Sequence, residues 1–308
     1  MSDITAARYK NQTAARKYLE RVRWPDGPVC PHCGSVDNAN RITGKSARKG
    51  LWHCADCRKQ FTVTVGTVFE RSKIPLHKWL LATHLLCAGK KGTSAHQLHR
   101  MLGVTYKTAW FMAHRIRESM KDDAPTPMGG EGETLQADET YFGTRDEYRG
   151  KEWADKKGHS KKMSVVSLIS GGKARTFSVK RADAKTVREL LVTNVSRDTE
   201  LHTDESRLYV KVGHEFAKHR TVVHVRNQYV GPHGESTNKV ENYFSIFKRG
   251  MRGVYQHCSE KHLPRYLSEF DFRYNTRTES DADRADKALE GIAGKRLTYR
   301  RPDIGAHV

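Results

Sequence analysis

Two Cys-x-x-Cys pairs constrain the first part of this chain more tightly than any other feature of the sequence. Cys30 and Cys33 form the first pair, Cys54 and Cys57 form the second, and 20 residues separate the two pairs. A hairpin that joins two such turns creates a tetrahedral four-sulfur site, which suits structural Zn²⁺ and leaves no open coordination position. A redox Cys-x-x-Cys would need a surrounding βαβ pattern, which this segment lacks. We therefore predict a zinc ribbon.

The charge of the chain indicates a polyanionic partner. Lys and Arg number 55 against 35 Asp and Glu, which gives a formal net charge of +20. Such a surplus exceeds what solubility requires and favours nucleic acid. The opening segment is polar and charged, and the longest uncharged apolar run, residues 79–89, is too short to span a bilayer. We expect a cytoplasmic protein with no membrane partner, whose six cysteines are metal ligands or buried thiols.

Residues 93–120 have the pattern of a helix-turn-helix. Thr93 or Ser94 can cap a short first helix. Gly103 permits the turn, and Thr105 can cap a longer second helix, which in this motif enters the major groove of DNA. Any helical hairpin gives a similar pattern, but the net charge and the adjoining ribbon favour DNA binding. The predicted DNA contacts of this motif are Tyr106, Lys107, Arg115 and Arg117.

A stretch rich in Pro and Gly divides the chain. Its sequence, KDDAPTPMGGEGE, cannot hold regular structure and marks a domain boundary. Beyond it, three predicted strands, of which the second is 163–170, are followed by a helix and a fourth strand. A further helix-and-strand unit, whose strand is 220–225, comes next, and then helices. That is the order of a ribonuclease H-like α/β domain, a mixed sheet flanked by helices. The predicted regions are an N-terminal helix with the zinc ribbon (1–70), the helix-turn-helix (71–121), the linker (122–133) and the ribonuclease H-like domain (134–308).

Two aspartates occupy unusual positions in the α/β region. Asp138 lies in the middle of the predicted strand LQADETYF, and Asp204 lies at the carboxyl end of a short predicted strand. Carboxylates are seldom buried without a cation or a partner. If the two strands are adjacent and parallel, the carboxylates converge, and a third acid would complete a site for two Mg²⁺ ions that act in phosphoryl transfer. Glu241, near the start of the last predicted helix, is the candidate.

Each of these acids also has a structural interpretation. Asp138 could be a charge at a strand edge, and Asp204 could be a helix N-cap. Glu241 and Lys248 could belong to a solvated helix face. Lys248 follows Glu241 by close to two helical turns, so both lie on one face, where Lys248 could contact a substrate phosphate. Three acids on these element types, in this order, favour the catalytic interpretation.

Three segments of the chain resemble bacterial insertion-sequence transposases of the DDE class. They are ADETYFG, HTDES and STNKVENYFSIFKRGMRGVYQHCSEKHLPRYLSEFDFRYNTR, and the best match is the zinc-ribbon group, the insertion-sequence family numbered fifteen ninety-five. The resemblance implies a DNA transposase that binds the element ends and catalyses strand cleavage and strand transfer. It implies two catalytic Mg²⁺ or Mn²⁺ ions held by Asp138, Asp204 and Glu241, with Lys248 matching a lysine seven residues after the third acid.

The resemblance also implies partners and a location. We expect the partner to be double-stranded DNA, both the terminal repeats and the target, and we expect Lys248 and Arg249 to contact it. We also expect a homo-oligomer on that DNA and a nucleoid-associated location in the cytoplasm. The family sometimes has Asn at the third position, so Asn238 stays open as an alternative to Glu241. Two other functions stay open as well: a non-enzymatic DNA-binding regulator that uses the ribbon and the helix-turn-helix, and a ribonuclease H-like nuclease that cuts without joining.

Overall fold

The computed structural model describes residues 4–123, 125–148, 161–223 and 230–298. Within these residues, no helix is long and apolar enough to cross a membrane. The helices and strands, in chain order, are α1 (Gln12–Arg23), β1 (Ala39–Arg41), β2 (Trp52–Cys54), β3 (Gln60–Phe61), α2 (Leu76–Ala88), α3 (Ala95–Leu102), α4 (Tyr106–Ser119), β4 (Thr134–Phe142), β5 (Met163–Ser170), β6 (Lys173–Val179), α5 (Ala184–Asn194), β7 (Glu200–Asp204), α6 (Arg207–Gly213), β8 (Lys218–Val222), α7 (Asn238–Gly250), α8 (Leu263–Asn275) and α9 (Asp281–Glu290).

The first of two compact units contains the ribbon and the helices α1 to α4. It comprises Met1–Lys121 together with Thr278–Val308, and its ribbon is an antiparallel sheet in the order β1-β2-β3. Helix α9 packs on α1, α2 and α4, and the Tyr18 hydroxyl of α1 donates to Asp286 of α9 at 2.6 Å. From sequence, α9 was assigned to the ribonuclease H-like region. Its contacts group it with the N-terminal elements instead, because packing over such a sequence distance leaves no local signal.

The second unit, Asp122–Arg277, is built on a five-stranded mixed sheet in the order β6-β5-β4-β7-β8. Strands β4, β5 and β6 form an antiparallel meander, and β7 is parallel to both β4 and β8. Helix α5 connects β6 to β7, and α6 connects β7 to β8. The meander followed by helical crossovers is the ribonuclease H-like arrangement that the order of elements predicted.

Hydrophobic cores cover both faces of this sheet, and β5 is buried at every position. One core packs the sheet against α7 and α8 and includes Val165, Val240 and Phe247. The other packs it against α5 and α6 and includes Leu135 and Leu191. Burying one such side chain contributes roughly 1.5–3 kcal/mol. Since side chains alternate along a strand, the even-numbered residues of β4 face α7 and the odd-numbered ones face α5 and α6.

Candidate active site and metal centre

Asp138 and Asp204 lie at corresponding positions on neighbouring parallel strands. The ladder between β4 and β7 ends with the pair Gln136 and His202. Each aspartate stands two residues beyond that pair, so both lie level on the face of the sheet that carries α7. The adjacency that the sequence analysis had to assume for these two carboxylates is therefore present.

Helix α7 brings Glu241 to the same region. The Thr237 hydroxyl donates to Oε1 of Glu241 at 2.6 Å, which fixes the carboxylate in the first turn of the helix. Asp138 and Glu241 both line a cleft of about 790 Å³. In the described part of the chain, neither Asp204 nor the exposed Asn238 lines this cleft. Asp204 is nevertheless close enough to affect the ionisation of Asp138.

The carboxyl group of Asp138 has a strongly perturbed pKa. Burial, followed by the negative charges of Glu139, Asp204 and Glu241, raises this pKa from 3.8 to about 8. The backbone N–H of Glu139 donates to Oδ1 of Asp138 at 2.7 Å and opposes the rise. The Glu139 carboxylate itself accepts from the Tyr209 hydroxyl at 2.8 Å. Negative charge therefore converges on Asp138, and a bound cation would compensate it.

Replacing Asp138 by Asn is expected to stabilise the second unit when no divalent ion is added. Below pH 3.8 the carboxyl is protonated in both states, and its stabilising contribution is complete. As the pH rises towards 8, the unfolded chain ionises first, so the wild type loses that contribution. The free energy of unfolding of Asp138→Asn should therefore exceed that of the wild type by on the order of 5 kcal/mol near pH 8 and be close to it near pH 4.

Amide exchange in β4 and β5 across a urea series, at both pH values, measures this difference. Asp198→Asn is the matched control, because Asp198 is an exposed acid in the loop before β7. It should behave like the wild type at both pH values. A difference between Asp138→Asn and the wild type that does not change with pH would contradict the ionisation described for Asp138.

A basic wall, formed by Lys248, Arg249 and Arg252, lines the same cleft as the acids. Lys248 follows Glu241 by about two turns of α7 and shares its helical face. Arg252 lies in the π-helical segment Met251–Tyr255 that follows α7, and it lines the same cleft. Three positive charges on one wall of the cleft favour an anion there. The sequence analysis missed Arg252, although its spacing from Glu241 could have indicated it.

The four cysteines of the ribbon converge as predicted. The Sγ atoms of Cys30 and Cys57 lie 3.6 Å apart, those of Cys33 and Cys54 lie 3.7 Å apart, and all four lie within 4.8 Å of one another. Tetrahedral Zn²⁺ with Zn–S bonds of about 2.3 Å requires sulfurs about 3.8 Å apart. The predicted zinc-ribbon site is confirmed. Over the described ranges, no other group of three or more potential ligands is as compact as these four cysteines. The carboxylates of Asp138, Asp204 and Glu241 lie farther apart.

Removal of zinc is expected to unfold the ribbon and to leave the second unit folded. The ribbon strands have two or three residues each, so metal ligation supplies much of their folding free energy. In Cys54→Ser, the amides of the whole ribbon should lose their protection from hydrogen exchange. The exchange rates in β4 and β5 should stay unchanged. Cys87→Ala, which removes a buried thiol of α2 outside the cluster, should keep the ribbon protected. Loss of protection in β4 and β5 would contradict this expectation.

Helices α3 and α4 pack together through the turn expected at Gly103, whose φ of 57° and ψ of 48° are left-handed. The Ser94 hydroxyl accepts from the N–H of Gln97 at 3.1 Å and caps α3. The Thr105 hydroxyl accepts from the N–H of Thr108 at 3.2 Å and caps α4. The local geometry matches the sequence pattern, and the use of this helical pair as a DNA-binding motif stays a prediction.

The four predicted DNA contacts of α4 divide into two groups. Tyr106 and Lys107 are exposed at the N-terminal turn of the helix. Arg115 and Arg117 are buried, with 6% and 2% of their surfaces exposed, and Arg115 donates to the carbonyl oxygen of Glu70 at 2.7 Å. The prediction for Arg115 and Arg117 is corrected accordingly, because these side chains pack inside the first unit and are not placed to reach DNA.

Comparison with known proteins finds matches in both units of the chain. Residues 130–275 match the ISXO2-like transposase domain, and residues 10–60 match the transposase zinc-ribbon domain. An uncharacterized protein in transposable element ISH50 of Halobacterium salinarum is 28% identical over 285 residues, which cover 86% of this chain and 91% of that protein. The crystal structure of a pre-cleavage Mos1 transpososome aligns over 94% of both chains at 9% identity, with a TM-score of 0.28 that is too low to support an argument. The two matched regions show that the chain belongs to the zinc-ribbon group of insertion-sequence transposases, the family numbered fifteen ninety-five.

Proposed function

We propose that this transposase cleaves DNA at the ends of its insertion sequence and joins the freed 3′ ends to target DNA, with Mg²⁺ or Mn²⁺ as cofactor. The observation that carries the proposal is the cleft in which Asp138 and Glu241 stand beside the basic wall. Carboxylates hold divalent cations, and basic side chains hold DNA phosphates. Both groups in one cleft suit phosphoryl transfer on a polynucleotide.

The carboxylates in and beside the cleft form a donor set that fits two Mg²⁺ or Mn²⁺ ions. Asp138, Asp204 and Glu241 offer carboxylate oxygens from three elements, and these ions prefer oxygen ligands. The raised pKa of Asp138 supports the assignment, since a cation would compensate the charge gathered there. Such ions, when bound, lower the pKa of an attacking water and stabilise the departing 3′ oxygen. We assign the third ligand to Glu241 rather than Asn238, because Glu241 shares the cleft with Asp138.

The basic wall binds and orients the substrate strand. From the rise per residue of an α-helix, Lys248 lies about 10 Å along the axis of α7 from Glu241. Arg252 lies farther along, in the π-helical segment that follows α7. These side chains contact phosphates to one side of the scissile bond and hold its phosphorus towards the carboxylates. Hydrolysis breaks the bond between phosphorus and the 3′ oxygen. The resulting 3′ hydroxyl then attacks a target phosphodiester in the same cleft. The new bond to phosphorus forms as the bond to the target's own 3′ oxygen breaks, and that oxygen leaves as a hydroxyl, without a covalent link to the protein.

Recognition of the element ends is assigned to the first unit. The net charge of +20 supports contact with DNA phosphates. Tyr106 and Lys107 are exposed at the start of α4, the part of a recognition helix that meets base edges. The family resemblance adds a homo-oligomer that holds two element ends together.

Incubation of the purified protein with a labelled element end and Mg²⁺ separates this proposal from its two alternatives. Strand-transfer products support the transposase, cleavage without joining supports a nuclease, and binding without cleavage supports a regulator. With Mg²⁺ left out, we expect the products to disappear and end binding to persist, because the ribbon and the cleft lie in different units. Strand transfer at the full rate without a divalent ion would contradict the proposed mechanism.

A further inference from the structure

Two buried polar residues stand beside the catalytic aspartates. Gln136 on β4 and His202 on β7 are register partners, and each precedes the aspartate of its own strand by two residues. They are 7% and 5% exposed. Because side chains alternate along a strand, both lie on the face that carries Asp138, Asp204 and helix α7.

The side-chain oxygen of Gln136 caps helix α7 from the neighbouring strand. Its Oε1 accepts from the N–H of Lys239 at 2.9 Å and from the N–H of Val240 at 3.3 Å. Such first-turn N–H groups have no acceptor within their own helix, and an N-cap side chain usually supplies one. The N-cap residue Thr237 makes no side-chain cap here, and its hydroxyl donates to Glu241. Gln136 therefore takes the place of the cap.

His202 contacts the segment that leads into α7. Its Nδ1 accepts from the N–H of Ser236 at 3.4 Å, and its Nε2 lies 3.1 Å from Oε1 of Glu200. A ring that accepts through Nδ1 and donates through Nε2 is the neutral tautomer held in one orientation. The length of the contact to Ser236 makes His202 the weaker of the two attachments.

We propose that Gln136 is a positioning residue that sets the separation of the Asp138 and Glu241 carboxylates, with His202 in a supporting role. The side chain of Gln136 belongs to the strand of Asp138, and its hydrogen bonds hold the two residues that precede Glu241. Loss of the cap lets α7 shift against β4, and a metal site requires metal–ligand distances within about 0.2 Å of their ideal values. This inference rests on the proposed function, since it assumes that both carboxylates bind the same ions.

Gln136→Met tests the inference because it keeps the side-chain length and removes the acceptor. We expect its Kd for Mn²⁺, measured by calorimetry on the zinc-loaded full chain without DNA, to rise about 10-fold. Amide exchange at Lys239 and Val240 should accelerate in the same variant. Gln136→Glu restores an acceptor oxygen and should return both values towards the wild type.

Asn275→Leu is the matched control. The Asn275 side chain accepts from the N–H of Ala174 at 2.6 Å and donates to its carbonyl oxygen at 3.0 Å, so it joins α8 to β6 away from the acids. This variant should lower the free energy of unfolding and leave the Mn²⁺ affinity unchanged. A general loss of stability is thereby distinguished from a loss of positioning.

An unchanged Mn²⁺ affinity in Gln136→Met would overturn the inference and leave the proposed function standing. A wild type that binds no Mn²⁺ would overturn the metal site and the inference together. Should Gln136→Met fail to fold, His202→Leu takes its place, with a smaller rise in Kd and faster exchange at Ser236 as the expected result. No change in either quantity for that variant would also count against the inference.

Discussion

Asp204→Asn is expected to slow strand cleavage at an element end by about 1,000-fold. The substitution removes one of three carboxylates from the proposed metal site. Asn keeps the oxygen that accepts from the N–H of Ser206 at 3.0 Å, so the turn between β7 and α6 should retain its structure. Single-turnover cleavage of a labelled end at saturating protein concentration measures the rate.

End binding by Asp204→Asn should equal that of the wild type, since the zinc ribbon and α4 belong to the other unit. Asp198→Asn removes an exposed acid from the loop before the same strand and should cleave at the wild-type rate. If Asp204→Asn kept a cleavage rate within about tenfold of the wild type, less than about 1.4 kcal/mol of transition-state stabilisation would depend on this carboxylate. Asp204 would then have no essential catalytic role.

Glu269→Leu is expected to lower the free energy of unfolding of the second unit by about 3–5 kcal/mol. Glu269 has none of its surface exposed and pairs with Arg273, which is 4% exposed, one turn further along α8. Glu269 also accepts from the Tyr255 hydroxyl at 2.5 Å. Removing the carboxylate leaves a buried guanidinium without its counter-charge, which costs more than the attraction that is lost.

The double variant Glu269→Leu with Arg273→Met should recover most of this stability, because it removes the second buried charge as well. Arg188→Met is the matched control, since Arg188 and Glu215 form a solvent-exposed ion pair in the same unit. Its loss should cost less than about 1 kcal/mol. Urea unfolding of all three variants provides the comparison. Similar losses for the buried and exposed pairs would contradict the account of Glu269.

Much of the fold could be predicted because its elements have local signatures. The strand predicted at 163–170 appears as β5 with the same bounds. The strand predicted at 220–225 appears as β8, Lys218–Val222, and residues 224 and 225 lie outside the described residues. The pairing of the strands was harder to predict from the sequence. The sequence could assume but not establish that β4 and β7 are neighbours, because that contact joins segments far apart in the chain.

The residues of the site divide in a similar way. Asp138 could be found because a charged residue within a strand conflicts with its surroundings. Arg115 and Arg117 were wrongly predicted as DNA contacts. Helical periodicity gives the direction of a side chain around the helix axis, but it does not say which other elements pack against that face of the helix. Gln136 left a signal that was not used, since it is a polar residue at an inward-facing position of β4. Its bond to α7 could be seen only once the helix was placed on the sheet.

The metal dependence of strand transfer by Asp138→Cys tests the central claim most directly. A thiolate is a poor ligand for Mg²⁺ and a better one for Mn²⁺, so a change in metal preference reports direct ligation by residue 138. We expect this variant to be inactive in Mg²⁺ and partly active in Mn²⁺, with a Mn²⁺-to-Mg²⁺ activity ratio at least about 10-fold above that of the wild type. A ratio equal to that of the wild type would show that Asp138 does not bind the catalytic metal ion.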